Sequence, residues 1–289
     1  MIIIIVIAIF LTRPVKKFYK KKQKMNDGAL IPFLLTLIAG GATAIGAGLT
    51  FVIRKNDFRV LALGMSFSAG VMIYVSFMDI MPMSVEFMGG AESPMTGKLG
   101  RAAAYAMFFA GVVAAAIIDY LVPEHVESDK IGGCPHCESK SKTKHAALLT
   151  AIAISAHNFP EGLSVFVTSL EDVKMGAAIA FAITLHNIPE GISVALPIYN
   201  ATGDKKRAFW MASLSGLAEP AGAIAAYLVF APILTPAVVG GALALTAGIM
   251  VYISLDELLP MAKEYGQEHY GIFGVFAGMA FIAIGSLAF

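Results

Sequence analysis

The sequence predicts an all-α polytopic membrane protein of eight spans in a 3+2+3 arrangement. Three observations predict it. Of 289 residues 57% are hydrophobic and 14% charged, with mean hydropathy +0.75. A soluble domain carries about 25% charged residues, and about 20 consecutive apolar residues are needed to cross a bilayer. The apolar runs here are too long and too many for a soluble helical core. Third, residues 69–83 (AGVMIYVSFMDIMPM) return as 247–261 (AGIMVYISLDELLPM) at an offset of 178. Ala, Gly, Met, Tyr, Ser, Pro and Met coincide. The copies fall in spans 2 and 7, which cross in opposite directions, so the repeat reads as inverted. A weaker echo sets Gly40 and Gly46 against Gly216 and Gly222 at offset 176. Inverted repeats are a common plan of secondary transporters, with the site at the repeat interface.

Residues 1–28 form an extra apolar and basic segment. Its apolar run, 2–12, is too short to span, and its basic stretch 13–24 follows the run, the wrong order for a signal peptide. It reads as a partial anchor, or synthesis begins at Met25. Spans 1–3 occupy 29–122, at roughly 29–53, 60–82 and 101–122. Gly40, Gly41, Gly46 and Gly48 suit span 1 to close helix contact. Span 2 ends at Pro82, before a polar loop with Gly89 and Gly90. A charged loop fills 123–145. Spans 4 and 5 occupy 146–198, at about 146–170 and 175–198, and spans 6–8 occupy 199–289, at about 208–231, 236–260 and 270–288. With span 1 entered from outside, the inner loops hold eleven Lys and Arg and the outer loops three, beyond the N-terminal tail. Positive charge gathers on the cytoplasmic side, so both termini are expected outside. The basic stretch 13–24 opposes this, but the loop count samples more independent segments.

Spans 4 and 5 carry the chemistry. His157-Asn158-Phe159-Pro160-Glu161-Gly162 recurs 29 residues on as His186-Asn187-Ile188-Pro189-Glu190-Gly191. Ionisable side chains inside a membrane are costly and mark function by default. His157 and Glu161, like His186 and Glu190, lie one turn apart on one helix face. Two imidazoles and two carboxylates form a mixed N/O set suited to zinc, iron, cobalt, nickel, manganese or cadmium. It suits Mg²⁺ poorly. Two Glu neutralise one dication. Asn158 and Asn187, about 100° round the helix, address an adjacent position where shared carboxylates would bridge a second metal. Glu219, beside Pro220 in span 6, is the natural addition. Pro160 and Pro189 free the carbonyls of Ala156 and Leu185, and Gly162 and Gly191 permit a bend or close packing. The competing reading is a purely structural hydrogen-bond network; one His–Glu pair would fit it, two plus Glu219 exceed it.

Asp79, Asp256 and Glu257, just before Pro82 or Pro260, are candidates to gather or release metal at span ends, or are plain interfacial carboxylates. Met72 offers a soft thioether, or packs. The loop His125, Cys134, His136, Cys137, His145 reads as a transient metal acceptor, or as a charged linker. Its single CxxC is no disulfide framework. No H-E-x-x-H motif is present, so an intramembrane hydrolase is not expected. Net charge +1 gives no case for nucleic acid.

The two HNxPEG hexapeptides, Glu219-Pro220, and Ser68-Ala69-Gly70-Val71-Met72-Ile73-Tyr74 with Asp79-Ile80-Met81-Pro82 together resemble the ZIP family of metal transporters, in its bacterial GufA-like branch. The resemblance covers about 30–289. It implies import of divalent metal through eight spans of the plasma membrane, a homodimer, and no cofactor or ATP. It implies a binuclear site. The first position takes His157, Glu161, His186 and Glu190 with Met72; the second takes Asn158, Asn187, Glu219 and the shared Glu161 and Glu190. It implies a range of zinc, iron, manganese, cobalt and cadmium. Members with Asp at the position of Asn187 have a more negative second site, so this one is expected to be weaker. A metal-sensing receptor or an exporter would use the same residues.

Overall fold

The computed structural model describes residues 28–52, 58–90, 93, 95, 97–121, 158–230, 235–265 and 268–288. Every regular element among them is helical. They are α1 (Leu30–Leu49), α2 (Phe58–Val75), α3 (Met81–Gly89), α4 (Lys98–Leu121), α5 (158–171), α6 (Val173–Thr202), α7 (Lys205–Gly216), α8 (Ala218–Ala225), α9 (Pro236–Ile253), α10 (Leu259–Tyr265) and α11 (Glu268–Gly285). Among the described residues, five stretches are long and apolar enough to cross a membrane: Leu30–Leu49, Ala62–Gly89, Lys98–Tyr120, Val173–Leu196 and Pro236–Leu258. Gly271–Gly285 is a shorter apolar helix. At about 1.5 Å rise per residue, 20 residues cover the ~30 Å hydrocarbon layer.

Burial runs in the sense of a membrane protein. On α1 the large side chains Leu30, Ile31, Leu34, Ile38 and Ile45 are exposed, while Ala39, Ala42 and Ala47 are buried. On α4 Tyr105, Phe109, Val113, Ile117 and Tyr120 face outward. Lipid accepts these faces. Small residues face inward because helices without a hydrophobic drive to associate must gain from close packing.

The helix ends follow local chemistry. Asp172 caps α6, its carboxylate accepting from the amides of Lys174 and Met175. Gly203, at φ +70°, closes the same helix in the left-handed conformation. Asp204 caps α7 and Thr235 caps α9. The described helix of span 6 is interrupted at Leu217, whose amide bonds back only three residues, to Leu214.

The helix of span 2 does not end at Pro82. Ser76–Ile80 is a π turn, the Met81 amide bonds to the Ser76 carbonyl five residues back, and α3 continues to Gly89. The same happens at Pro260: Ser254–Leu258 is a π turn, the Leu259 amide bonds to the Ser254 carbonyl, and α10 continues to Tyr265. A proline ring clashes with the preceding turn of a regular helix. One wider turn gives the ring room, so the helix passes the proline instead of ending. Asp79, Asp256 and Glu257 therefore lie within long helices and not at their termini. Likewise α6 runs unbroken through Pro189. Ala156 lies outside the described residues.

The helices form two groups. In one, α1 packs on α6, α7 and α8, and α5 packs on α8. In the other, α2 packs on α11, and α9 packs on α3 and α4. Within each group, glycines bring backbones into contact. A methyl group on Gly70 would meet the Val275 carbonyl oxygen at 2.1 Å, and one on Gly278 the Phe67 oxygen at 2.2 Å. On Gly248 it would meet the Phe108 oxygen at 2.0 Å, and on Gly111 the Leu245 oxygen at 2.1 Å. Between the groups α2 packs on α6 and one buried apolar cluster spans both, but the glycines at that border meet side chains and not backbone. A methyl on Gly64 would stand 3.9 Å from Pro189, and one on Gly285 3.3 Å from the Phe181 ring.

Neighbouring glycines of α1 give a sharp prediction. A methyl on Gly40 would meet the Gly216 carbonyl oxygen at 2.3 Å; on Gly41 it would meet nothing within 4 Å. Gly40→Ala is expected to cost about 1–3 kcal/mol, since a backbone must shift. Gly41→Ala should be neutral or add up to about 1 kcal/mol from helix propensity. Unfolding in mixed detergent reads both. Equal behaviour of the pair would refute this packing.

Candidate functional site

The site lies where α5 and α6 meet, walled by α1 and α8. His186 and Glu190 share one face of α6, as four-residue spacing requires, and Glu161 faces them from α5. The His186 Nε2 lies 3.2 Å from Glu161 Oε2. Ligand atoms of Glu161, His186 and Glu190 all fall within 4.8 Å of one another. Glu161 and His186 are fully buried and Glu190 is 3% exposed. Two carboxylates and an imidazole that close, in a dry interior, are costly unless a counter-charge joins them.

The asparagines turn toward the flanking helices. Asn187 Nδ2 donates to the Ala39 carbonyl at 2.9 Å and to the Glu219 carboxylate. Asn158 Nδ2 donates to the Ser215 carbonyl at 3.4 Å. Glu219 is fully buried and stands in the first turn of α8, just past the break at Leu217. The positive end of that helix favours a carboxylate there. The glycines of both hexapeptides make this geometry possible. A methyl on Gly162 would meet the Glu219 carbonyl oxygen at 2.1 Å, and one on Gly191 the Thr43 oxygen at 2.1 Å. Of the two expected roles for these glycines, close packing is the one found.

Several buried polar atoms here have no hydrogen-bond partner among the described residues: Glu161 Oε1, His186 Nδ1, Asn158 Oδ1, Asn187 Oδ1 and Glu219 Oε2. Interior polar atoms are normally satisfied. Each of these atoms has a lone pair to give, or gains one on deprotonation. The donor set, imidazole nitrogen with carboxylate and amide oxygens, fits a borderline divalent cation.

The structure brings together Glu161, His186, Asn187, Glu190 and Glu219 of the expected set; Asn158 is buried one turn before Glu161 on α5, with its amide on α7. Met72 is buried on α2; Ser68 Oγ lies 4.0 Å from its sulfur and 3.4 Å from the His186 carbonyl oxygen, which it addresses as donor. Met72 thus sits on the helix that faces the site. Asp79 and Glu257 are half-buried and Asp256 is exposed, each in a π turn. Tyr252, one turn before Asp256, donates to Asp119 at 3.2 Å. His157, His125, Cys134, His136, Cys137 and His145 lie outside the described residues.

Sequence reasoning missed the hydroxyls that join the two helix groups. Ser164 donates to Thr246 Oγ1 at 3.0 Å, and Thr246 Oγ1 lies 3.3 Å from the Pro160 carbonyl oxygen and 3.0 Å from that of Ala242. Isolated Ser and Thr in apolar runs give no periodic signal. Thr246 did have a signal of another kind: the repeat offset of 178 pairs it with Ser68, which also reaches across.

Residues 124–285 match the family profile described as ZIP Zinc transporter. The chain is similar to the zinc transporter ZupT of Campylobacter jejuni, 44% identical over 279 residues, covering 88% of this chain and 94% of the relative. It is similar to the zinc transporter ZupT of Nitratidesulfovibrio vulgaris, 45% identical over 278 residues, with 92% and 99% covered. To that of Streptococcus mutans it is 45% identical over 266 residues, with 92% and 100% covered. With its apolar helices and buried ionisable centre, the chain is a multi-pass membrane protein of the ZIP zinc transporter family, whose members are transporters and not enzymes.

Proposed function

We propose that this protein carries divalent transition-metal cations across the plasma membrane into the cytoplasm: zinc, and also Fe²⁺, Mn²⁺, Co²⁺ and Cd²⁺. The observation that carries the reading is the buried convergence of Glu161, His186 and Glu190 within 4.8 Å. The similarity to the zinc transporters named above supports it. The metal is cargo, and no cofactor takes part. The first metal position is His157, Glu161, His186 and Glu190, with Met72 beside it. The second is Asn158, Asn187 and Glu219 with the shared carboxylates. Two glutamates offset one dication, which lowers the cost of placing it in hydrocarbon. Asp79, Asp256, Glu257 and the loop residues His125, Cys134, His136, Cys137 and His145 serve the entrance and exit.

The proposal includes eight spans as three, two and three, with 1–3 and 6–8 inverted, both termini outside, and a homodimer. Support for the inversion comes from recurrence. The π turn before Pro82 returns before Pro260. Gly70 on Val275 returns as Gly248 on Phe108, and Gly278 on Phe67 as Gly111 on Leu245. These are the contacts of spans 2 and 8 repeated between spans 7 and 3. The same contacts support a mechanism. Each helix group is locked by backbone packing, whereas the groups meet through side chains. Motion then shifts the metal-bearing group (α1, α5, α6, α7, α8) as a body against the other, exposing the site to each side in turn.

Uptake of radiolabelled zinc, iron(II) and manganese into sealed vesicles of known orientation tests the reading. Saturable inward flux with mutual competition is expected. Binding without flux would make the protein a sensor, outward flux an exporter, and non-saturating flux a channel.

A further inference from the structure

Resting on the metal-site reading above, the inference concerns a residue of α1 that stands opposite Glu219. Helices α1 and α7 cross at Gly40 and Gly216, and each sees the other alike. A methyl on Gly40 would meet the Gly216 carbonyl oxygen at 2.3 Å and the Glu219 Cβ at 3.3 Å. A methyl on Gly216 would meet the Gly40 oxygen at 2.3 Å and the Thr43 Cβ at 2.9 Å. The two hexapeptides extend the correspondence. Gly162 lies against the Glu219 carbonyl as Gly191 lies against that of Thr43. Gly222 lies against Phe159 as Gly46 lies against Ile188. Asn158 donates to Ser215 as Asn187 donates to Ala39. Shifts of 176 and 29 residues relate every pair. Under them Thr43 is the counterpart of Glu219, on the Asn158 side.

The hydroxyl of Thr43 is itself unusual. Thr36, Thr43 and Thr50 are all fully buried. Thr36 and Thr50 satisfy their hydroxyls on the carbonyls four residues back, Pro32 at 2.9 Å and Gly46 at 3.4 Å. Thr43 Oγ1 has no partner among the described residues. The carbonyl four back from Thr43 is that of Ala39, and it is engaged by Asn187. A buried hydroxyl left without its local acceptor is costly unless something else uses it.

We propose that Thr43 is a further binding residue of the metal path: a neutral oxygen donor to a partly hydrated divalent cation on the Asn158 side, where Glu219 supplies a charged one on the Asn187 side. The two halves of the site then differ by one negative charge at otherwise matching positions. Such an arrangement holds a dication firmly on one side and lightly on the other, which favours release.

The test is binding of Co²⁺ and Zn²⁺ to the full-length protein in detergent, read by equilibrium dialysis and by the visible absorption of cobalt. Thr43→Val keeps the shape and removes the hydroxyl; Thr43→Ala removes it without bulk; Thr43→Ser retains it. Thr36→Val, on the same helix, is the control. Both Thr43→Val and Thr43→Ala are expected to weaken metal binding roughly tenfold, the scale of a lost contact to a charged group, and to change the cobalt spectrum. Thr43→Ser and Thr36→Val should match the wild type. Wild-type affinity and spectrum in Thr43→Val or Thr43→Ala would overturn the proposal while leaving the metal site intact. Equal loss in Thr43→Ser would also overturn it, by showing that shape and not the hydroxyl matters. A wild type that binds no metal would overturn both readings together.

Discussion

Glu161→Ala is expected to reduce metal uptake at least a hundredfold while leaving the protein in the membrane. Glu161 is the carboxylate common to both proposed metal positions, fully buried and 3.2 Å from His186. Removing one partner from a buried, charge-balanced set costs about 3–5 kcal/mol, because the remaining charges lose their compensation. At about 1.4 kcal/mol per decade that is roughly two to three and a half decades in affinity for the dication. Glu161→Gln keeps the shape and removes only the charge, so it should fall nearly as far. If packing were the main role, Gln would behave as wild type. The comparison separates electrostatics from packing in one experiment: vesicle uptake, normalised to protein recovered from the membrane. Normal uptake by both variants would remove Glu161 from the site.

The legibility of this centre in sequence follows from repetition. Two polar hexapeptides in apolar surroundings cannot be packing accidents, and four-residue spacing fixed which side chains share a face. The helical class was equally open to reading, since lipid imposes it on any long apolar segment. Span ends were not. Spans 2 and 7 were expected to end near Pro82 and Pro260, yet each helix continues past its proline after a single wide turn. Nothing in a linear pattern separates those outcomes. Thr43 is a different case. The weak echo of Gly40 in Gly216 already fixed a shift of 176 residues, and the same shift leads from Glu219 to Thr43. The signal was present, but a threonine among alanines and glycines has no chemistry of its own until a neighbour occupies its usual acceptor. The pairing of Ser164 with Thr246 is legible only in three dimensions, because they lie 82 residues apart.

That last pair gives the means to stop the transporter. Ser164 belongs to the metal-bearing helix group and Thr246 to the other, with their oxygens 3.0 Å apart. Cysteines placed at both positions are within reach of a disulfide, whose sulfurs sit about 2.05 Å apart. The double variant S164C/T246C, with Cys134 and Cys137 replaced by serine so that they cannot compete, should transport when reduced. Mild oxidation should then cut uptake more than tenfold, and a reductant should restore it. Each single-cysteine variant should ignore the oxidant. The logic is mechanical. A covalent bond between the groups leaves the site and its ligands in place, so metal binding by the oxidised protein should persist while flux stops. That split between retained binding and lost transport is what body-against-body motion requires. Undiminished flux through fully cross-linked protein would mean that the groups do not move past each other at this contact. The metal would then have to pass by local side-chain rearrangement within a fixed frame.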